Sequence, residues 1–206
     1  MNELKKLELQ VREQIKNDPA HDFEHIMRVY KNVKKIAKHE NVNLNLVLAA
    51  ALLHDIVSFP KSDNRSKTSS LKSAQKAKIM LEKYHYTKNE IKIIVGAIAD
   101  HSFSRNKTPK TMEGKILQDA DRLDALGAIG IARTFSVGGA ENRPIYRVTD
   151  PFCYARAPDD KKWTVDHFYR KLLLLEKKMN TKFAKKEAKR RTAILKEFLT
   201  ELKREI

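Results

Sequence analysis

The chain has 206 residues, 41% of them apolar, which is enough for a real core and argues against disorder. It carries 42 lysines and arginines against 26 aspartates and glutamates, a net charge of +16, so anions are drawn to it. No apolar run approaches the roughly 20 residues of a membrane span, and the single cysteine, Cys153, cannot close an internal disulfide, which points to a reducing cytoplasm.

Glycine and proline are few and helix formers abundant, so an all-α chain is expected. A first helix is predicted over about 2–17, with Leu4, Leu7, Val11 and Ile15 on one stripe, and Asp18-Pro19 ends it. A second is predicted over about 22–40, carrying Phe23, Ile26, Val29, Tyr30, Val33, Ile36 and Ala37 at helical spacing. The third, about 43–57, is nearly all apolar and is expected to be the central buried helix. A polar loop, "SFPKSDNRSKTSS", precedes helices over about 67–84 and 87–101. After a second loop, "SRNKTPKT", two helices run through "MEGKILQDADRLDALGAIGIARTFSV". Residues 136–162 are expected to form a long loop, of the length that is usually functional or mobile. Helices over about 163–179 and 181–204 complete the chain, and no boundary divides it, so one domain over 1–206 is expected.

The third helix poses a chemical question. It runs apolar from Leu46 to Leu53 and then sets His54 and Asp55 side by side before Ile56 and Val57. A buried charge without a partner costs several kcal/mol or more. The second helix opens with His21 and His25 on one face, His25 beside its apolar stripe. The helix containing "QDADRLDALGAIG" is interrupted by Asp119, Asp121 and Asp124. Three helices thus bring imidazoles and carboxylates to the border of the core, and such groups can share a metal, whose charge replaces their lost water. Nitrogen and oxygen donors without a thiolate suit Mn2+, Fe2+, Co2+, Ni2+ or Zn2+.

The ordered set H…HD…D resembles the metal-dependent HD-domain phosphohydrolases. "HDFEHIMRVY" surrounds His25, "ALLHDIV" holds His54 and Asp55, and "DADRLDA" holds Asp121. The resemblance runs from about residue 18 to 180 through "AIADHSFS", "GAIGIARTF" and "DHFYRKLL", and is strongest to a small bacterial branch of nucleotide pyrophosphohydrolases. It implies an all-α HD-domain helical bundle, its core about 18–130, with a basic C-terminal helix packed on it. It implies that His25, His54, Asp55 and Asp121 bind one or two divalent metals, Mn2+ first, with Mg2+, Co2+, Ni2+, Fe2+ or Zn2+ as alternatives. In such proteins extra histidines contact phosphate or a second metal, a role open to His101. Asp22 could cap the second helix or orient His25.

A phosphorylated substrate needs cations. Lys61 and Arg65 follow the His-Asp pair in the polar loop and are expected to grip phosphates, joined by His101 and Arg122. Many HD phosphohydrolases carry a carboxylate shortly after the pair to activate water; here only Asp63 follows, so the role falls to the metal itself or to an acid elsewhere such as Asp124. The resemblance implies hydrolysis of a (deoxy)nucleoside triphosphate to monophosphate and pyrophosphate. A 5′-nucleotidase or guanosine-alarmone hydrolase on the same fold is the first rival. A basic helical nucleic-acid binder is the second, and an iron oxygenase is the third. The C-terminal helix is lysine-rich, but it also has an apolar face and no reading motif, so no specific nucleic acid and no membrane is expected as a partner, while a homo-oligomer is compatible with the sequence.

Overall fold

A computed structural model describes residues 3–15, 22–59 and 63–206, and among these every regular element is helical. The chain divides into two compact units, Met1–Asp121 and Arg122–Ile206.

The first unit is built on α1 (Glu3–Gln14), α2 (Phe23–Ala37), α3 (Leu44–Leu53), α4 (Ser69–Leu81), α5 (Lys88–Asp100) and α6 (Met112–Asp124) as far as Asp121. The starts of these helices are written in the sequence. Asp22 caps α2, its carboxylate accepting from the amide of His25 at 2.7 Å. Asn43 caps α3. Thr87 and Glu90 form a reciprocal capping box at the head of α5. Each such cap is worth about 1 kcal/mol.

α3 packs against α1, α2 and α5, which is why Leu46 through Leu53 are all buried and why its sequence shows no polar face. It is the expected central helix, but it stops at Leu53 rather than near residue 57. His54 is its C-cap, and the chain then turns, the Ile56 amide donating to the Leu53 carbonyl at 3.2 Å. Apolar continuity through Val57 hid that turn. The loop after it holds a short 3-10 turn, Asn64–Thr68, capped by Asp63.

In the second unit α7 (Gly127–Ala140) packs against α9 (Lys182–Glu205). Ala184, Ala188, Thr192, Leu195 and Leu199 form the buried stripe of α9, and its lysines face outward. Phe198 stacks on the fully buried Phe168 with ring centres 5.6 Å apart, and Phe135 meets the Phe198 ring edge-on, also at 5.6 Å. The helix expected over 163–179 is instead broken into a π turn, Phe168–Leu172, one α turn, α8 (Leu173–Leu175), and a 3-10 turn, Glu176–Lys178. The apolar period of that stretch is right, but no side chain caps its first turn.

The long loop begins later than expected, because α7 continues to Ala140. Gly138 lets this loop close on α7: a methyl group there would lie 2.3 Å from the Thr164 hydroxyl. The loop is ordered by charge. Asp150 accepts from the amides of Tyr154 and Ala155 at 2.9 and 3.0 Å. Arg156 packs over Trp163 at 4.7 Å and forms a two-pronged ion pair with Asp166, which is fully buried. Among the described residues no helix is long and apolar enough to cross a membrane.

Candidate metal centre

The ligand candidates are presented by helix ends and helix faces of the first unit. His25 sits in the first turn of α2, its amide held by Asp22; Asp22 therefore caps the helix, and His21 lies outside the described residues. His54 and His101 are the C-caps of α3 and α5, and the two use one device. The Nδ1 of His54 lies 2.8 Å from the Ala51 carbonyl, and that of His101 lies 2.7 Å from the Ile98 carbonyl. In each case the ring nitrogen facing a carbonyl must carry the proton, so the neutral tautomer presents a bare Nε2.

Those nitrogens converge. The Nε2 atoms of His54 and His25 are 3.2 Å apart. His25 Nε2 lies 3.6 Å from both Asp55 Oδ2 and Asp121 Oδ1. Asp55 Oδ2 is 3.6 Å from His54 Nε2, and its Oδ1 is 3.6 Å from His101 Nε2. Two overlapping groups of donors result, His25 with His54 and Asp121, and His54 with Asp55 and His101. The histidines are sealed, with side chains 1%, 0% and 5% exposed for His25, His54 and His101, whereas Asp121 is 26% exposed and marks the open side.

The electrostatics follow from that crowding. Burial pushes His54 down to about 4. Burial opposes ionisation of Asp121, but the facing imidazoles of His101, His25 and His54 outweigh it and bring the carboxyl down to about 2. For His101 burial is again the largest influence and favours the neutral ring, yet hydrogen bonding and charge from Asp55, with Asp121 behind it, raise its pKa. Imidazole nitrogens a hydrogen-bond length apart, flanked by carboxylates in a buried setting, are a donor set that fits a divalent cation.

The backbone around these residues is held by buried polar side chains that sequence reading passed over. Ser73 of α4 grasps Val57 both ways, its hydroxyl accepting from the Val57 amide and donating to the Val57 carbonyl, each at 3.1 Å. Ser70 donates to the Ala99 carbonyl at 3.3 Å. Gln118 donates to the carbonyls of Asp100 and Lys107, and Asn32 to that of Ala120. A signal did exist: Asn32 interrupts the buried stripe of Val29, Val33 and Ile36.

The remaining site candidates have other partners. Asp124 is buried and accepts from Arg133 Nη1 at 2.8 Å, and it belongs to neither donor group. Arg122 is buried and donates to the Lys178 carbonyl. Arg65 is exposed, forks onto Asp63 at 2.7 and 3.0 Å, and stacks over Phe59 at 4.7 Å. Lys61 lies outside the described residues.

The chain matches the HD domain model over residues 22–126, a span that holds all five clustered residues. It is 32% identical over 215 residues to the uncharacterized protein YpgQ of Bacillus subtilis strain 168, covering 100% of this chain and 96% of YpgQ. The crystal structure of an HD-superfamily hydrolase from Bacillus thuringiensis aligns with a TM-score of 0.75 at 35% identity, over 98% of this chain and 95% of that one. The crystal structure of B. subtilis YpgQ in complex with ADP aligns with a TM-score of 0.76 at 30% identity, over 98% and 94%. With the helical fold, the histidine–aspartate cluster and these full-length likenesses in agreement, the chain belongs to the HD domain family, within the HD phosphohydrolase superfamily.

Proposed function

We propose that the protein is a metal-dependent nucleotide pyrophosphohydrolase, converting a (deoxy)nucleoside triphosphate to the monophosphate and pyrophosphate. The observation that carries this reading is the convergence of His25, His54, Asp55 and Asp121 within the first unit, the Nε2 atoms of His25 and His54 being 3.2 Å apart. Those four residues would hold one divalent cation, Mn2+ first. A cation bound there supplies a water of lowered pKa and polarises a phosphoryl oxygen.

The chain's own groups do the rest. His54 and His101 keep Nε2 aimed into the cluster through their Nδ1 bonds to Ala51 and Ile98. Asp121, the most exposed of the group, faces the side from which a phosphate can approach. His101, joined to the cluster through Asp55, is assigned to phosphate contact. Lys61 and Arg65 are assigned to the polyphosphate; Arg65 would exchange its Asp63 partner for a phosphate oxygen. Asp124 and Arg122, committed to Arg133 and Lys178, are left out of this assignment. Nucleotide as the substrate class is supported by the ADP complex of YpgQ.

The test is product analysis. Protein purified without added metal is assayed for metal content, then incubated with Mn2+ and a panel of nucleoside and deoxynucleoside triphosphates. Pyrophosphate with the matching monophosphate is expected. Orthophosphate as the first product would refute the pyrophosphohydrolase reading and favour a nucleotidase.

A further inference from the structure

α6 brings Asp121 into the cluster, and two buried carboxamides bear on where α6 lies. Asn32 is 6% exposed and its Nδ2 donates to the Ala120 carbonyl at 3.1 Å. Ala120 lies inside α6, where its carbonyl already has the amide of Asp124 as its regular helical partner. The bond from Asn32 therefore uses a second lone pair; it tethers α6 and is not needed to satisfy it. Asn32 stands seven residues after His25, two turns along the same face of α2. The contacts His25–Asp121 and Asn32–Ala120 are thus two points of one α2–α6 seam, and two points fix how one helix lies on another.

Gln118 is fully buried and stands three residues before Asp121 on α6, so tether and ligand share a face. Its Nε2 donates to the Asp100 carbonyl at 2.9 Å and the Lys107 carbonyl at 2.8 Å. Asp100 directly precedes His101, whose ring is fastened to the same last turn of α5. Gln118 thus ties the backbone beside His101 to the helix that carries Asp121.

We propose that Asn32 and Gln118 are positioning residues of the metal centre, setting the reach of Asp121 toward the other donors and of His101 toward Asp55 through the backbone bonds described. This inference rests on the metal-site reading above. It is tested with the full-length chain carrying Asn32→Leu or Gln118→Met, replacements of similar volume that donate nothing. Mn2+ affinity is measured by titration, and the d–d absorption of the Co2+-loaded proteins reports coordination geometry independently of activity. Each variant is expected to raise the Mn2+ Kd about tenfold or more and to alter the Co2+ spectrum while far-UV helicity is retained. Asn32→Ala and Gln118→Ala carry the same expectation if either larger replacement fails to fold. Variants with a Kd within about twofold of the parent and an unchanged Co2+ spectrum overturn the inference, whatever happens to their melting temperature. A parent protein that binds neither ion overturns the metal-site reading itself, and the inference with it.

Discussion

Removing Arg156 is expected to destabilise the second unit strongly, and in a pH-dependent way. Asp166 is fully buried and receives two prongs from Arg156, one of them at 2.8 Å, an amide bond from Asp159 at 2.6 Å, and a hydrogen bond from Cys153. Burial alone would raise its pKa, but the bonds from Arg156 and Asp159 outweigh that and hold it below the usual carboxylate range. Arg156→Ala leaves this carboxylate buried without its counter-charge, a loss of about 3–5 kcal/mol at neutral pH. Arg156 also gives up its bonds to the Asp150 carbonyl, at 2.9 and 3.2 Å, and its packing on Trp163. Arg156→Lys keeps the charge but not the fork and should fall between. Trp163 is the only tryptophan in the chain, so its fluorescence during denaturant unfolding reads this region directly. In the parent, a depressed pKa means that the stabilisation is present above the unfolded aspartate value, about 3.9, and is lost as pH falls through the folded value. In the Ala variant the folded pKa is raised, so its stability declines as pH rises, and the gap between the two proteins should be widest at pH 7, shrink as pH falls toward 4, and close only below the parent's folded value. A deficit under about 1 kcal/mol at pH 7, or one independent of pH, would refute the account of this buried pair.

Alanine at His25, His54, Asp55 or Asp121 should each remove most of the bound metal, whereas Asp124→Asn should keep the metal and lower the melting temperature through its lost pairing with Arg133; elemental analysis and thermal scans separate the two. Stripping the metal with EDTA should lower the melting temperature, since a ligand at a hundredfold excess over Kd stabilises by about 2.7 kcal/mol, or about 5–11 °C for a chain of this size; an unmoved curve would show that the cluster is not coupled to the core. Lys61→Ala and Arg65→Ala should keep the metal and lose about 10-fold to 1000-fold in kcat/KM, about 1.4–4 kcal/mol; full activity in both would assign that loop to solvent.

Much of the first unit was legible because its signals are local. Asp22 and Thr87 announce helix starts, and the unbroken run from Leu46 to Leu53 marks the central helix. That the side chains of His25, His54, Asp55 and Asp121 would meet was legible because charged groups at the border of apolar stripes have few explanations. What escaped was set by contacts distant in sequence. Asp124 reads as an acid free for water activation until its pairing with Arg133 is seen, while Asp121 faces His25 across the α2–α6 seam. Arg122 reads as a phosphate ligand until its bond to Lys178, 56 residues away, is known. The broken helical stretch after His167 also escaped, since apolar spacing does not distinguish α from π or 3-10 turns. The ordering of the long loop by Arg156 and Asp166 has no local signature at all.

The attachment of His54 and His101 to carbonyls of their own helices bears on which changes in the gene this site tolerates. The anchoring atoms belong to the main chain of Ala51 and Ile98, both fully buried, so an apolar side chain of similar size at either position would leave the imidazoles aimed as they are. A missing or inserted residue within α3 or α5 is a different matter. Each residue turns a helix by about 100°, so a single codon lost upstream would swing the histidine to another face of the helix, its carbonyl bond intact and its Nε2 pointing away. Sequences descended from this one should therefore exchange apolar residues of similar size within these two buried helices and hardly change the helices' length.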